Sequence, residues 1–160
     1  MRIVIQRVRH AEVAIGGEVV GRVGQGMLIL LGIEEADTAA DVQWLVGKAA
    51  AMRIFDDEAG VMNRSLIDIK GEALVVSQFT LMASTKKGNR PSWFRAAGHE
   101  HAVPLYNLFV EQLEQTLSRP VPTGRFGADM QVYSSTTAPS RLSLTQRTAS
   151  SSSSLSLRQS

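Results

Sequence analysis

Two short segments hold the side chains with the most chemical potential. The apolar run Ala73–Val76 ends in the polar patch Ser77-Gln78-Phe79-Thr80-Leu81. On one reading this is a strand emerging at the surface, with Thr80 one strand hydroxyl among several. On the other, Thr80 and the backbone N–H groups beside it face a substrate carbonyl, where such donors form an oxyanion hole for acyl transfer. The second segment is Thr85-Lys86-Lys87-Gly88-Asn89-Arg90-Pro91-Ser92. Lys86, Lys87 and Arg90 on a loop bounded by Gly and Pro are either solvated or a grip on phosphates.

Other constellations are weaker. The chain has no cysteine, which excludes a disulfide scaffold, a thiol nucleophile and cysteine metal sites. His99 and His101 sit two apart at a helix start rather than at the i, i+4 spacing of paired ligands, so they read as capping residues and no metal is expected. Gly21, Gly24 and Gly26 do not open a helix after a strand, so they read as turn glycines and not as a dinucleotide loop. No Gly-x-Ser-x-Gly elbow is present. No cofactor is expected.

Hydrophobic residues make up 44% of the 160 positions and charged residues 20%, which excludes a wholly disordered chain and a coiled coil. The longest apolar run, Met27–Leu31, is a strand's length, so no membrane span is expected. Charge interrupts the apolar pattern of the opening MRIVIQRVRH, unlike a secretory signal, and a cytoplasmic location is expected.

Charge divides unevenly along the chain. Residues 1–133 carry 14 basic and all 15 acidic side chains, a net of −1, whereas 134–160 add three arginines and no acid. The folded part is therefore no general nucleic-acid sponge, and DNA is not an expected partner. Eleven of the last 27 residues are Ser and four are Thr, against five Ser in residues 1–133. Two regions follow: a folded domain over 1–133 and a tail over 134–160 whose composition predicts disorder.

The elements that must position the two segments read as follows. Ile3, Ile5, Val8, Val13 and Ile15 predict a long strand with an irregularity in its middle, turned by Gly16-Gly17 into a return strand over Glu18–Val23. Met27–Ile33 is a buried strand. A helix capped at Asp37 or Thr38 runs to about Phe55, with Val42, Leu45, Val46, Ala49 and Met52 on one face. Leu66–Ile69 and Ala73–Leu81 read as strands. A second helix spans about Glu100–Leu117, with Pro104 early in it, and Arg125–Tyr133 is the last strand. The fold class is mixed α/β: a layered sandwich of mainly antiparallel or mixed β-sheet with two main helices.

SQFTL at 77–81, KKGNRPSW at 86–93, TGRFGADMQV at 123–132 and the opening MRIVIQRV together resemble the D-aminoacyl-tRNA deacylases, over residues 1–133. The resemblance implies a cytoplasmic homodimer that hydrolyses the ester joining a D-amino acid, or mischarged glycine, to the 3′ end of tRNA. It implies that Ser77, Gln78, Phe79 and Thr80 line the pocket, that Phe79 and Thr80 offer N–H groups to the carbonyl, and that the terminal ribose 2′-OH assists. A hydroxyl near its free pKa is a weak nucleophile without an adjacent base, so Thr80 is expected to position rather than attack. Two rivals stand beside this reading: a tRNA-binding protein without catalysis, using Lys86, Lys87 and Arg90 on phosphates, and a small-ester hydrolase with Thr80 as nucleophile.

The chain departs from the family at its C-terminal motif, Asn-(Asn/Asp)-Gly-Pro-Val-Thr, whose cis Gly-Pro pair enters the neighbouring subunit's pocket and rejects L side chains by exclusion. Here Ser134-Ser135-Thr136-Thr137-Ala138-Pro139-Ser140-Arg141 follows Tyr133. With TCN serine codons, reading one base out of frame permits an apolar residue and then Asn, Asn/Asp, Gly, Pro, Val and Thr in order. A one-base deletion near codon 134 is the expected origin of the departure.

Overall fold

A computed structural model of the chain describes residues 1–146, apart from the side chains of residues 137–140. The elements in order are β1 (Arg2–Ile15), β2 (Glu18–Val23), β3 (Gly26–Gly32), α1 (Ala39–Ala51), β4 (Phe55–Asp56), β5 (Met62–Arg64), β6 (Glu72–Ser77), a 3-10 turn (Phe79–Met82), α2 (His99–Leu117) and β7 (Gln131–Thr145).

The sheet is organised around β1. Arg2–Val8 pairs antiparallel with β3, and Ala11–Ile15 with β2 across the Gly16-Gly17 turn. Both glycines have positive φ, +59° and +85°, which L side chains rarely adopt. On its other edge β1 pairs antiparallel with β7 from Arg2 to Ala14, with register shifts between Gln6 and His10 at the expected irregularity. β6 runs parallel to β3, starting at Gly26 opposite Glu72. A Cβ on Gly26 would meet the Glu72 carbonyl oxygen at 1.8 Å, so only glycine permits that approach.

One sheet face carries Ile3, Ile5, Met27, Ile29, Leu31 and Leu144 against Val42, Leu45, Val46 and Ala49 of α1 and Tyr106, Phe109 and Leu113 of α2. The opposite face gathers Val8, Val13, Leu28, Leu74 and Val76 in a second, smaller cluster. Among the described residues no helix is long and apolar enough to cross a membrane.

Several boundaries differ from the sequence reading. Helix α1 stops at Ala51 because Met52 is extended (φ −62°, ψ 128°) and leads into β4, and its cap is Thr38 rather than Asp37. The Thr38 N–H and hydroxyl both donate to Asp41 Oδ2, at 2.8 and 3.0 Å. Residues 66–70, expected to hold a strand, form a turn. Ser65 N–H donates to Asp68 Oδ2 at 2.8 Å, and Asp68 N–H to Ser65 Oγ at 3.1 Å, a reciprocal cap that bends apolar Leu66 and Ile69 inward. The strand from Ala73 ends at Ser77, not Leu81.

The largest correction concerns residues 134–146. The expected disorder does not hold there: β7 starts at Gln131, six residues after Arg125, and passes through the Tyr133 boundary to Thr145. The physical reason is edge pairing. β1 presents a full row of N–H and C=O groups, Thr and Leu suit a pleated strand, and Leu144 is buried in the main core. The rest of the tail, including Ser150–Ser154, lies outside the described residues.

Candidate active site

β6 delivers Ser77 to the end of β3, where the Gln78 N–H donates to the Leu31 carbonyl at 2.8 Å. The chain then leaves the sheet in the 3-10 turn, closed by Leu81 N–H to Gln78 O (3.2 Å) and Ala83 N–H to Thr80 O (3.1 Å). The first N–H groups of such a turn, those of Phe79 and Thr80, have no partner within it. Gly32 makes room: a Cβ there would meet Leu81 Cβ at 3.0 Å and Gln78 O at 3.1 Å. Arg2 of β1 braces the turn by donating from its guanidinium to the Leu81 carbonyl.

Beside the turn lies a cavity of about 410 Å³. Ser77, Gln78 and Phe79 form one wall, Leu31 and Ile33 the β3 side, His99 and Ala102 the α2 side, and Phe126–Ala128, Met130 and Val132 the last. Thr80 is not part of this wall. Its Oγ1 accepts a hydrogen bond from Gln78 Nε2, an amide donor and not a base. Phe126 is held edge-on between His99, 5.3 Å away at 85°, and Tyr106, 5.7 Å away at 69°. The Tyr106 hydroxyl donates to the Val75 carbonyl at 2.9 Å, and burial pushes its pKa up to about 12. The lining is mainly apolar with a few polar groups at the turn, which suits an aromatic or nucleoside-sized group.

The loop after the turn is pinned by Ser84 and Ser92, which exchange N–H to carbonyl bonds at 3.0 and 2.9 Å. Lys86, Lys87 and Arg90 project from it with Gly88 (φ +106°) at the tip. Together with Ser84, Ser92 and Phe94 they border a second cavity of about 370 Å³, with no acidic side chain in its wall. Phe79 and Trp93, with ring centres 5.4 Å apart at 75°, stand between the two segments.

Of the residues that stand out in the sequence, Ser77, Gln78 and Phe79 thus share one wall, and Lys86, Lys87 and Arg90 share another cavity. The sequence alone gives Phe126, Met130 and His99 no part in the site. The first two lie in the TGRFGADMQV stretch, but nothing in its spacing says that it folds back onto β6. His99, expected as a solvated cap, is exposed at the first residue of α2 and also borders the cavity.

Residues 4–145 match the family model described as D-Tyr-tRNA(Tyr) deacylase. The D-aminoacyl-tRNA deacylase of Dechloromonas aromatica is 58% identical over 132 residues, 82% of this chain and 88% of the relative. That of Akkermansia muciniphila is 62% identical over the same shares. A solved structure titled c-Myc DNA Unwinding Element Binding Protein is 40% identical, with a TM-score of 0.87 over 92% of this chain and 99% of that one. Another, titled as a probable eukaryotic D-amino acid tRNA deacylase, has a TM-score of 0.72 at 16% identity over 84% and 93%, a likeness of fold. With a family match reaching from β1 to the end of β7 and relatives of this identity, the chain belongs to the D-Tyr-tRNA(Tyr) deacylase family.

Proposed function

We propose that this chain is an aminoacyl-tRNA editing hydrolase that releases free D-amino acid, and glycine, from mischarged tRNA. The observation that carries this is the family match over residues 4–145, on a chain whose SQFT turn borders a cavity of nucleoside size. The aminoacyl ester enters beside Ser77 and Gln78, with its carbonyl oxygen toward the N–H groups of Phe79 and Thr80. Water adds to the carbonyl carbon, those donors stabilise the oxyanion, and the ester C–O bond breaks. The ribose 3′-oxygen leaves with a proton, and the neighbouring 2′-OH assists that transfer.

Thr80 positions the turn. A nucleophilic hydroxyl must pass its proton to a base, whereas the Thr80 Oγ1 receives a proton-donating amide from Gln78. Lys86, Lys87 and Arg90 attract the tRNA phosphates. As in the family it resembles, the protein acts as a cytoplasmic homodimer. Because Ser134–Arg141 replaces the Gly-Pro motif, discrimination between D- and L-aminoacyl esters is weak in this chain.

The test is release of labelled D-tyrosine from D-Tyr-tRNA with enzyme in excess, compared with a tRNA ending in 2′-deoxyadenosine. Release that requires the 2′-OH supports the mechanism. Equal release from an ester lacking a vicinal hydroxyl supports an ordinary esterase. Tight tRNA binding with no release supports the non-catalytic reading, which the cationic loop favours.

A further inference from the structure

The exposed rings of Phe94 and Trp93, beside Phe79 of the site wall, have no part in the proposed hydrolysis. Phe94 is 78% exposed and Phe79 59%, and Trp93 is 38% exposed between them. A contiguous exposed apolar patch rimmed by polar groups marks an interaction surface. This patch is continuous with the cationic loop, since Phe94 borders the same cavity as Lys86, Lys87 and Arg90. It is also continuous with the ester site, since Phe79 both borders the site cavity and meets Trp93 edge-on.

Exposed rings beside cations, with no carboxylate in the cavity wall, match the chemistry of unpaired nucleotides. Bases stack on the aromatic faces while the ammonium and guanidinium groups hold the phosphates. We propose that Phe94 and Trp93 form a stacking platform for the unpaired nucleotides that precede the esterified terminal nucleoside. Phosphates of the same strand lie in the Lys86, Lys87 and Arg90 cavity. This rests on the tRNA reading of the neighbouring site and adds a recognised feature to it: a single-stranded end rather than the duplex stem. The occupant is committed by charge. Three cations favour a polyanion, whereas a second copy of a face so cationic would be repelled.

The test is fluorescence anisotropy with a labelled single-stranded RNA of about ten nucleotides, and with the same strand annealed into a blunt duplex. Phe94→Ala is expected to weaken single-strand binding by roughly 5- to 100-fold, the range for losing one stacked base, with little change in salt dependence. Phe94→Tyr restores binding and Phe94→Leu does not, because the leucine keeps apolar area without a π-face. The triple Lys86→Ala, Lys87→Ala, Arg90→Ala variant instead lowers the log–log salt slope by roughly one unit for each phosphate no longer neutralised.

Unchanged single-strand binding by Phe94→Ala overturns the platform, as does full rescue by leucine or an equal loss for duplex and single strand. Conversion of a dimer to monomer by Phe94→Ala in sedimentation also overturns it and assigns the patch to a subunit interface. If the wild-type protein deacylates D-Tyr-tRNA while Phe94→Ala binds RNA normally, the platform alone falls. If it neither binds RNA nor deacylates, the functional reading falls and takes the platform with it.

Discussion

The chemistry proposed here depends on which atoms of a four-residue turn take part. If the Phe79 and Thr80 N–H groups stabilise the oxyanion, a change to the backbone must cost more than removal of a hydroxyl. Phe79→Pro deletes one donor and is expected to lower the single-turnover rate by roughly 100- to 1,000-fold, the usual cost of one oxyanion donor. Thr80→Ala removes only the acceptor for Gln78 and is expected to cost about tenfold or less, of the order of one neutral hydrogen bond. The reverse ranking, measured on variants with native circular dichroism, makes Thr80 the nucleophile. At this scale the sequence is legible where chemistry is contiguous. Ser77, Gln78 and Phe79 sit side by side in the chain and in the wall. Phe126 reaches the same cavity from beyond α2 and His99 from its first residue, and only tertiary folding reveals that.

Among the elements, those with a strong period and clear punctuation are legible. The Gly16-Gly17 hairpin, β3 and both helices appear where hydrophobic spacing places them, although α1 ends at Ala51 rather than near Phe55. Leu66–Ile69 is not, because a Ser65–Asp68 cap outweighs the strand propensity of a short apolar run. β7 is not, because composition registers the serines but not the edge of β1 that accepts them. Burial of Leu144 gives that strand a measurable role. Leu144→Ala is expected to cost about 2–4 kcal/mol in denaturant unfolding, as for a core leucine, whereas an unchanged stability would show that residues 141–145 do not pack.

Backbone donors from Val61 and Ala59, the former the largest cause, hold the Asp57 carboxyl below its ordinary 3.8. A depressed folded value stabilises the folded form above pH 3.8, and that stabilisation is lost as the pH falls through the folded value. Protection of the β4–β5 turn amides, taken relative to their intrinsic exchange rates, is therefore expected to fall on acidification below pH 3.8, and more steeply than in Asp57→Asn. Tyr106 acts at the other end. Its folded value of about 12 against 10 stabilises the fold fully below pH 10, and this is lost as the pH rises toward 12. Tyr106→Phe should flatten that alkaline loss.

For the molecule as a whole, β7 pairs with β1 of the sheet that carries the site, and this strand also holds the positions where the resemblance places the family's chirality motif. In this chain β7 pairs with β1 at Ser134–Thr136 and again at Arg141–Thr145, so the proposed loss of D/L selection does not require loss of the fold. The ester site and the cationic loop are built from residues 31–132, all of which precede that replacement. Restoring one base near codon 134 is expected to raise both the deacylation rate and the preference for D-esters. The most direct measurement is single-turnover hydrolysis of D-Tyr-tRNA and L-Tyr-tRNA by the 160-residue protein and by its frame-restored form. The expected result is release of D-tyrosine above the buffer rate by both, with small discrimination in the first and large discrimination in the second. Absence of release by a folded frame-restored protein, or strong D-selectivity already present in the unrestored one, would contradict it.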